Sequence, residues 1–341
     1  MITKIGGEFE MNPDLIKSCE GLVKNNMCSL FSSGRSALMA ILETINININ
    51  AKPLIYLPYY ICSSVVEACK NQKFNIEFYE LDENFLFNID YLDNIKKNSS
   101  LLTVNYFGFV NNNNLIENIK NRRPDIITIC DNVPSFWQCN NSKANFSFTS
   151  LRKFIPTPDG AIVYSKGVIY KPEKSVPENK FYKSKLLGSI AKYKKEKDNV
   201  YLNYFTEGEK ILNKEKKITR ASRFSEYFFH NYNLQNLKNI RDNNYLKVYE
   251  IGSKIGLNFV FPFLKGISPL CVPIFLENRD EIRNKLFDKN IFLPIYWPIE
   301  DHNKSSKLSN KMAKHELSII IDHRYSLNEI NHQLCEIKKH L

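Results

Sequence analysis

A lysine with a serine three residues before it lies between two strand-like stretches of this sequence. Ser150 and Lys153 separate the apolar run 145–149 from a proline-rich turn and the apolar run 161–164. An ammonium group placed between buried strands loses hydration, which lowers its pKa. A neutral amine attacks a carbonyl carbon, and a hydroxyl beside it can bind a phosphate, as at pyridoxal phosphate (PLP) sites. One interpretation of the spacing is therefore covalent chemistry with an aldehyde cofactor.

The same tetrapeptide has two other interpretations. S-x-x-K is also the signature of a nucleophilic serine in penicillin-binding enzymes. A lysine in a lysine-rich chain is most often a solvated surface residue. Taken alone, the four residues leave all three interpretations open.

Further groups suit the same chemistry if the fold brings them to Lys153. Asp131 ends the apolar run 125–130, Tyr59 and Tyr60 follow another run, and a glycine turn at 32–36 opens a helical pattern. A carboxylate keeps a pyridine nitrogen protonated and an aromatic ring stacks on the cofactor. The N–H groups at a helix start bind phosphate. Each group also has a structural interpretation, as a cap, a core residue or a simple turn.

The predicted elements position these groups at one edge of a sheet. Near-continuous apolar strands alternate with amphipathic helices, which predicts a doubly wound, mostly parallel α/β sheet buried on both faces. Ligands bind such sheets at the carboxyl ends of the strands. The predicted strands are 53–58, 75–81, 101–107 and 125–131, and the predicted helices are 37–45, 63–70, 88–97 and 113–122.

The remaining stretches predict a second unit. A short helix is expected within 8–30, and a long helix over 224–249. Lysines crowd 183–217 at helix-like spacing, which fits a solvated amphipathic helix pair or an anion-facing surface. The predicted C-terminal strands are 259–264, 269–276, 291–297 and 317–321, and the predicted helices are 279–289 and 326–340. We therefore expect a large α/β domain over 1–245, with the Lys-rich insertion at about 183–217, and a small α+β domain over 246–341.

The composition excludes several classes of protein. A chain of 341 residues with 43% hydrophobic and 24% charged residues is typical of a soluble globular protein. It contains no apolar run of the ~20 residues that a membrane helix needs, so we expect a cytoplasmic protein without membrane contact. Eight cysteines without C-x-x-C pairs favour packing thiols over zinc or disulfides. The net charge of +11 lacks the interleaved aromatic residues of a nucleic-acid module.

A series of sequence segments extends along nearly the whole chain. In order they are IGGEFE, FSSGRSALMAILE, LPYYICSSVVEA, VNYFGF, TICDNVPSFW, SLRKFIPTPDGA, RFSEY, LPIYWP and SIIIDHRYSLNEI. In this order they resemble the DegT family of fold-type-I PLP-dependent sugar aminotransferases. The likeness is greatest to members in which SLRK precedes a proline-rich turn. The resemblance implies a large doubly wound domain and a smaller C-terminal α+β domain.

The resemblance also implies roles for individual residues. Lys153 would carry the aldehyde of PLP and move the proton, and Asp131 would pair with the pyridinium. The stacking aromatic would be Tyr60, or else Tyr59. The phosphate would be bound by Ser150 and by the backbone of Gly34, Arg35 and Ser36.

The sequence departs from the family pattern at three positions. Pro134 stands where relatives have Gln or His against the ring hydroxyl, with Asn132 or Ser135 as the available substitutes. Ala221 stands where an asparagine reaches the partner subunit's cofactor, and Asn105 where relatives often have His. Cofactor binding remains the expectation, and the usual sugar substrate is in question.

The expected function is a homodimeric PLP aminotransferase. It would move an amino group from an amino-acid donor, glutamate, to a keto group of an activated sugar, such as a nucleotide sugar in surface-polysaccharide biosynthesis, or of a related small metabolite. The basic segment 183–220 would meet the substrate's phosphates. The alternatives are a PLP lyase, dehydratase or decarboxylase on the same scaffold, and a non-catalytic descendant that binds a ligand.

Overall fold

The computed structural model describes residues 4–12, 28–48, 53–172 and 180–341. The short helix predicted within 8–30 lies mostly outside the described residues. The described strands are β1 (Ile5–Gly6), β2 (Cys28–Phe31), β3 (Leu54–Pro58), β4 (Asn75–Tyr79), β5 (Ser100–Val104), β6 (Ile127–Asp131), β7 (Phe146–Ser150), β8 (Ala161–Ser165), β9 (Asn258–Phe259), β10 (Val272–Phe275), β11 (Ile291–Phe292) and β12 (Glu316–Ile319).

The described helices flank these strands. Short 3₁₀ turns lie at Ile89–Asn94, Tyr106–Gly108, Phe136–Asn141 and Leu151–Lys153. The α-helices are α1 (Gly34–Asn48), α2 (Ser63–Asn71), α3 (Asn113–Arg122), α4 (Lys180–Tyr193), α5 (Asp198–Lys214), α6 (Arg223–Asn231), α7 (Leu234–Lys254), α8 (Arg279–Phe287), α9 (Lys307–His315) and α10 (Leu327–Lys338).

A seven-stranded sheet forms the centre of the fold, in the order β2-β8-β7-β6-β5-β3-β4. Its pairs from β4 through β7 are parallel, and β8 runs antiparallel to both β7 and β2. Parallel strands need crossover helices, which cover the sheet and bury β5 completely. The predicted doubly wound, mostly parallel α/β sheet is therefore confirmed. Its carboxyl edge carries the ends of β6 and β7, at Asp131 and Ser150.

Two small sheets complete the fold. The strands β12, β10 and β9 form an antiparallel sheet, and β1 pairs in parallel with β11. The pairing of β1 with β11 places the segment after β1 next to the C-terminal unit. The helix α7 runs across residue 245, and its Tyr245 belongs to the same hydrophobic core as the central sheet. The division into domains at that residue stays a prediction.

Several predicted elements differ from the observed ones. The helix expected over 224–249 is two helices, because Asn233 caps a new start by accepting a hydrogen bond from the Asn236 amide (2.9 Å). The stretch 88–97 forms only a 3₁₀ turn, which Asn88 caps through its side chain. The strands expected over 259–264 and 291–297 are short, since Pro262 and Pro294 have no N–H to donate. The helix α9 was not predicted.

Among the residues that the structure describes, no helix combines the length and the apolar character needed to span a membrane.

Gly108 is a position where the backbone requires glycine. Its φ is +92°, and an added Cβ would lie 2.8 Å from Pro269 Cα and 2.9 Å from Pro134 O. We expect Gly108→Ala to lower the free energy of unfolding by about 1–3 kcal/mol, because both the backbone conformation and the contact are strained. Urea denaturation measures the loss. Gly167→Ala is the control, since an added Cβ there meets nothing within 4 Å of the described chain. Equal stabilities of the two variants would contradict the prediction.

Candidate active site

The turn that carries Lys153 is held by buried neighbours. Beyond the end of β7, the Leu151 amide donates to Gly160 O (3.0 Å), and the Phe154 amide donates to Leu151 O (2.9 Å). Leu151 and Phe154 are both completely buried. Gly160 has φ +122°, and a Cβ there would lie 2.8 Å from Leu151 Cδ1, so this motif requires a glycine. The apolar residues anchor the turn at the carboxyl edge of the sheet.

The expectation that Lys153 is buried between two strands was wrong. Its side chain is exposed, because the turn carries it past the end of β7 and into the space above the sheet. Its Nζ lies 5.7 Å from the ring centroid of Tyr296. The amine is therefore open to a ligand in the cleft.

Two cavities meet at Lys153. The inner cavity has a volume of about 310 Å³, and the outer cavity one of about 490 Å³. Five residues line both: Arg152, Lys153, Glu209, Leu270 and Tyr296. The inner cavity brings together most of the residues predicted from the sequence, namely Gly34, Arg35, Asp131, Ser150 and Lys153.

Asp131 presents a buried carboxyl group to the inner cavity from the end of β6. It is 6% exposed, and its Oδ1 accepts a hydrogen bond from the Val133 amide (2.8 Å). Burial raises its pKa to about 7, although the Val133 amide and the positive charge of Lys153 act in the opposite direction. A cation placed beside this carboxyl would favour its charged form.

The start of α1 forms the opposite part of the inner cavity. Gly34 and Arg35 begin the helix, where amide groups have no acceptor within the helix and face the positive end of its dipole. A Cβ at Gly34 would lie 3.8 Å from the Cβ of Ser150. A hydroxyl group and the helix start are thus close enough to bind one phosphate together.

The side chains of Arg35 and Ser36 have other partners. The Arg35 guanidinium donates to Leu212 O (2.9 Å) and forms an ion pair with Glu67 (3.1 Å). The Ser36 hydroxyl donates to Thr219 O (2.8 Å) and accepts from the Thr219 amide (2.7 Å). The Ser36 amide is bonded to Ser33 Oγ. Of the three predicted backbone amides at the helix start, only those of Gly34 and Arg35 remain to bind a phosphate.

Tyr60 lies in the core and not in the lining of the inner cavity. It is completely buried, stacks on Tyr106 (centroids 5.5 Å apart) and contacts Trp297 edge-on (4.8 Å). Tyr59 instead stacks on Phe78. The turn after β3, where the Ile61 amide donates to Tyr59 O (3.0 Å), directs Tyr60 into the core. Both tyrosines lie outside the described lining of the two cavities.

Sequence reasoning missed several residues that line the inner cavity. Cys62 and Val65 come from the start of α2, and Tyr296 and Trp297 from the segment after β11. The aromatic pair lies between Pro294 and Pro298, in a motif that the resemblance includes without assigning it a role. The sequence signal for this part of the cavity lining was a pair of adjacent aromatic residues between two prolines.

Of the three departures from the family pattern, Asn105 has a structural explanation. Pro134 lines the inner cavity, whereas Asn132 and Ser135 are buried. Asn132 Oδ1 accepts from Asn105 Nδ2 (2.5 Å), and Asn105 Oδ1 accepts from Asn112 Nδ2 (2.7 Å). The asparagines form a buried amide network that supports the loops at the sheet edge. They do not replace the polar side chain that Pro134 lacks.

The Lys-rich segment forms the expected helix pair, α4 and α5, and its inner face belongs to the site. Lys185 is only 1% exposed and forms ion pairs with Glu8 (2.6 Å) and Glu209 (2.6 Å). Arg152 also pairs with Glu209 (3.1 Å). Burial acts to raise the pKa of Glu209, but the charges of Arg152 and Lys185 outweigh it and lower that pKa to about 2. The helix pair is therefore tied to the residue next to Lys153.

Asp159 connects the loop after Lys153 to α6. It is completely buried and accepts hydrogen bonds from the Ser222 amide (2.8 Å), from Ser222 Oγ (2.6 Å) and from Ser225 Oγ. Burial raises its pKa, although these hydrogen bonds act to lower it. The segments TPDGA and RFSEY thus contact each other through Asp159 and Ser225.

Comparisons with known proteins establish the fold. No family model matches the chain, and no curated protein sequence does. A DegT DnrJ EryC1 StrS aminotransferase from Brucella abortus is 14% identical, with a TM-score of 0.62 over 92% of this chain and 85% of that one. S. venezuelae DesV, in complex with a ketimine intermediate, is 12% identical, with a TM-score of 0.65 over 98% and 90% of the two chains.

A third solved structure has a similar fold. Spr1654 from Streptococcus pneumoniae, described as a sugar aminotransferase and solved in its PLP form, is 11% identical, with a TM-score of 0.67 over 98% of this chain and 92% of that one. The chain has the fold of the fold-type-I aminotransferases, over almost its whole length. The fold implied by the resemblance is confirmed.

The raised pKa of Asp131 predicts a pH-dependent stability. The folded-state pKa of about 7 exceeds the ordinary value of 3.8, so the folded protein binds this proton more tightly and loses stability as the pH rises from 4 to 7. Asp131→Asn removes this loss and keeps an oxygen for the Val133 amide. In cofactor-free protein, we expect the variant to gain stability relative to the unchanged chain, by almost nothing near pH 4 and by on the order of 4 kcal/mol above pH 7. Urea denaturation of both proteins across this pH range measures the difference in their free energies of unfolding. A difference that stays constant with pH would contradict the prediction.

The pairing at Glu209 predicts a second stability effect. Glu209→Gln leaves the buried ammonium of Lys185 with Glu8 alone, so we expect the free energy of unfolding to fall by about 2 kcal/mol. Glu207→Gln is the matched control, because Glu207 is an exposed residue of the same helix. Thermal unfolding at neutral pH compares the two. Equal melting temperatures would show that the network contributes nothing.

Proposed function

We propose that this protein is a PLP-dependent aminotransferase. The observation that carries the proposal is the inner cavity, where one amine (Lys153), one buried carboxyl group (Asp131), one hydroxyl group (Ser150) and one helix start (Gly34) line the same space. The fold shared with aminotransferases supports it.

The residues of the inner cavity fit the cofactor. When bound, PLP supplies an aldehyde and a ring that accepts electrons. Lys153 provides the amine that bonds to the aldehyde carbon. Asp131 would hold the ring nitrogen protonated, because burial raises the pKa of this carboxyl more than the charge of Lys153 lowers it, and a protonated ring nitrogen would favour the carboxylate. Ser150 and the amides of Gly34 and Arg35 bind the phosphate.

Lys153 has a second role as general acid and base. Its Nζ would take a proton from the substrate's α-carbon and deliver it to the cofactor's C4′ carbon. Its exposure to both cavities supports this role, because the same amine reaches cofactor and substrate. In place of Tyr60, the side chains that would contact the cofactor ring are those of Cys62, Val65 and Trp297, which line the inner cavity.

We further propose glutamate as the amino donor and a keto group of an activated sugar, such as a nucleotide sugar in surface-polysaccharide biosynthesis, as the acceptor. The description of Spr1654 as a sugar aminotransferase supports this substrate class. A homodimer, and domains over 1–245 and 246–341, complete the proposal on the basis of the resemblance.

Covalent trapping tests the role of Lys153. We expect PLP to give an absorbance band near the visible edge, and borohydride to fix the cofactor on Lys153, as mapped by peptide mass spectrometry. Lys153→Ala should lose both signals, while Lys166→Ala, at an exposed lysine after β8, should keep them. Attachment at another lysine, or an unchanged band in Lys153→Ala, would refute the assignment.

The half-reaction with an amino acid tests the reaction class. We expect glutamate to convert bound PLP to the pyridoxamine form in a single turnover, which absorbance measures directly. Failure of every amino acid to do so, with the cofactor still trapped on Lys153, would contradict transamination. That outcome would favour the lyase alternative.

A further inference from the structure

The amine of Lys153 lies over the face of an aromatic ring. Its Nζ is 5.7 Å from the ring centroid of Tyr296, and a cation is attracted to an aromatic face within about 6 Å. Glu209 is the carboxylate that lines both cavities together with Lys153, and it already pairs with Arg152 (3.1 Å) and Lys185 (2.6 Å). The ring of Tyr296 is therefore the contact that favours a positive charge on this amine.

The ring of Tyr296 acts as a neutral group. Burial raises the pKa of its phenol well above the ordinary value of 10.0, so the hydroxyl keeps its proton. The attraction comes from the negative face of the ring and does not need the hydroxyl. A phenylalanine at this position would therefore interact with the amine in the same way, and a leucine would not.

The backbone of Tyr296 is held on both sides. Its amide donates to Glu316 Oε2 (2.9 Å), and its carbonyl accepts from the Tyr60 hydroxyl (3.4 Å). Glu316 and Tyr60 are both completely buried. The next residue, Trp297, has φ +49°, a left-handed conformation that persists at a bulky residue only where the surrounding contacts fix it. These contacts keep the ring of Tyr296 in place beneath Lys153.

Glu316 connects Tyr296 to the first residues of β12. Its Oε1 accepts from the Ser318 hydroxyl (2.5 Å), and the oxygen of that hydroxyl accepts from the Cys271 thiol (3.1 Å). Burial raises the pKa of Glu316 to about 7, although the Ser318 hydroxyl and the Tyr296 amide act to lower it. A buried carboxyl group costs stability unless hydrogen bonds compensate it. The hydrogen bond to the Tyr296 amide gives this carboxyl a role at the site.

We propose that Tyr296 stabilises the protonated nitrogen of Lys153 and that Glu316 is the positioning residue that holds Tyr296 there. The contact is a property of this chain, and its role in catalysis rests on the proposed function. In that role it favours the state in which Lys153 holds the proton that it moves. It also favours a protonated nitrogen when Lys153 is bonded to the cofactor, which makes the attached carbon more reactive towards an incoming amine.

Competitive acetylation of the cofactor-free protein measures the contact without turnover. Acetic anhydride reacts with neutral amines, so peptide mass spectrometry between about pH 8 and 11 gives the pH at which Lys153 is half-maximally labelled. We expect Tyr296→Leu to lower this pH by about 0.5 unit, because the cation loses the aromatic face. Tyr296→Phe should leave it unchanged. The exposed Lys166 is the reference in each sample and should not shift.

The other ionisable groups around the pair do not produce this difference. Asp131 and Glu316, with pKa values of about 7, and Glu209, with one of about 2, are charged over most or all of this range. The Cys271 thiol, with its pKa raised to about 12, is largely neutral. The guanidinium groups of Arg152 and Arg241 keep their charge. All of these groups are the same in Tyr296→Leu and Tyr296→Phe.

Two variants at Glu316 separate its position from its charge. Glu316→Gln and Glu316→Met both remove the charge, but only glutamine keeps an oxygen for the Tyr296 amide. We expect the half-labelling pH of Lys153 to be lower in Glu316→Met than in Glu316→Gln, by up to about 0.5 unit. In the Tyr296→Leu background this difference should vanish, because no ring remains to be positioned. If Glu316→Met does not fold, Ser318→Ala tests the same link, since it removes the second hydrogen bond that orients the carboxyl.

The results are separable from the test of the proposed function. Equal half-labelling pH in Tyr296→Leu and Tyr296→Phe would overturn the ring contact, and equal values in the folded Glu316 variants would overturn the positioning role. In PLP-loaded protein, the pH at which half of the visible band is lost should also fall in Tyr296→Leu, and an unchanged midpoint would overturn the role in catalysis. A labelling shift in protein that does not trap PLP on Lys153 would support the contact and reject the proposed function.

Discussion

The candidate site depends on one buried carboxyl group, Asp131, whose charged form a neighbouring cation would favour. Asp131 lies at the carboxyl end of a central strand, where burial opposes its ionisation and the charge of Lys153 favours it. The amine of Lys153 is too exposed to balance that burial. A ring nitrogen that carries a proton would supply the missing positive charge, so the cavity suits a pyridinium better than it suits a neutral ligand.

The rest of the structure keeps Lys153 at a fixed position relative to that carboxyl. Leu151 and Phe154 anchor its turn from below, and Asp159 ties the following loop to the start of α6. On the other side, the ion pairs of Glu209 connect the neighbouring Arg152 to α4 and α5. The Lys-rich segment is therefore neither a purely solvated helix pair nor a purely cationic surface. Its outer face is charged and exposed, while Lys185 on its inner face is buried and paired.

The sequence predicted those features that depend on apolar runs and strand ends. Asp131 and Ser150 directly follow apolar strands, so the parallel sheet placed both at one edge, and the glycine turn at 34 opened a helix beside them. The directions of individual turns were not predictable. Tyr60 and Cys62 are two residues apart, but the bend after β3 sends Tyr60 into the core while Cys62 lines the inner cavity. The exposure of Lys153 depends on the direction of its turn, which no local pattern records.

The protonation state of the cofactor's ring nitrogen tests the central claim most directly. With PLP labelled with ¹⁵N in the pyridine ring, NMR reports whether that nitrogen carries a proton in the bound state. The account predicts a protonated nitrogen in the unchanged protein and an unprotonated one in Asp131→Asn, because the amide cannot hold the positive charge. The same signal in both proteins would contradict the pairing of Asp131 with the cofactor.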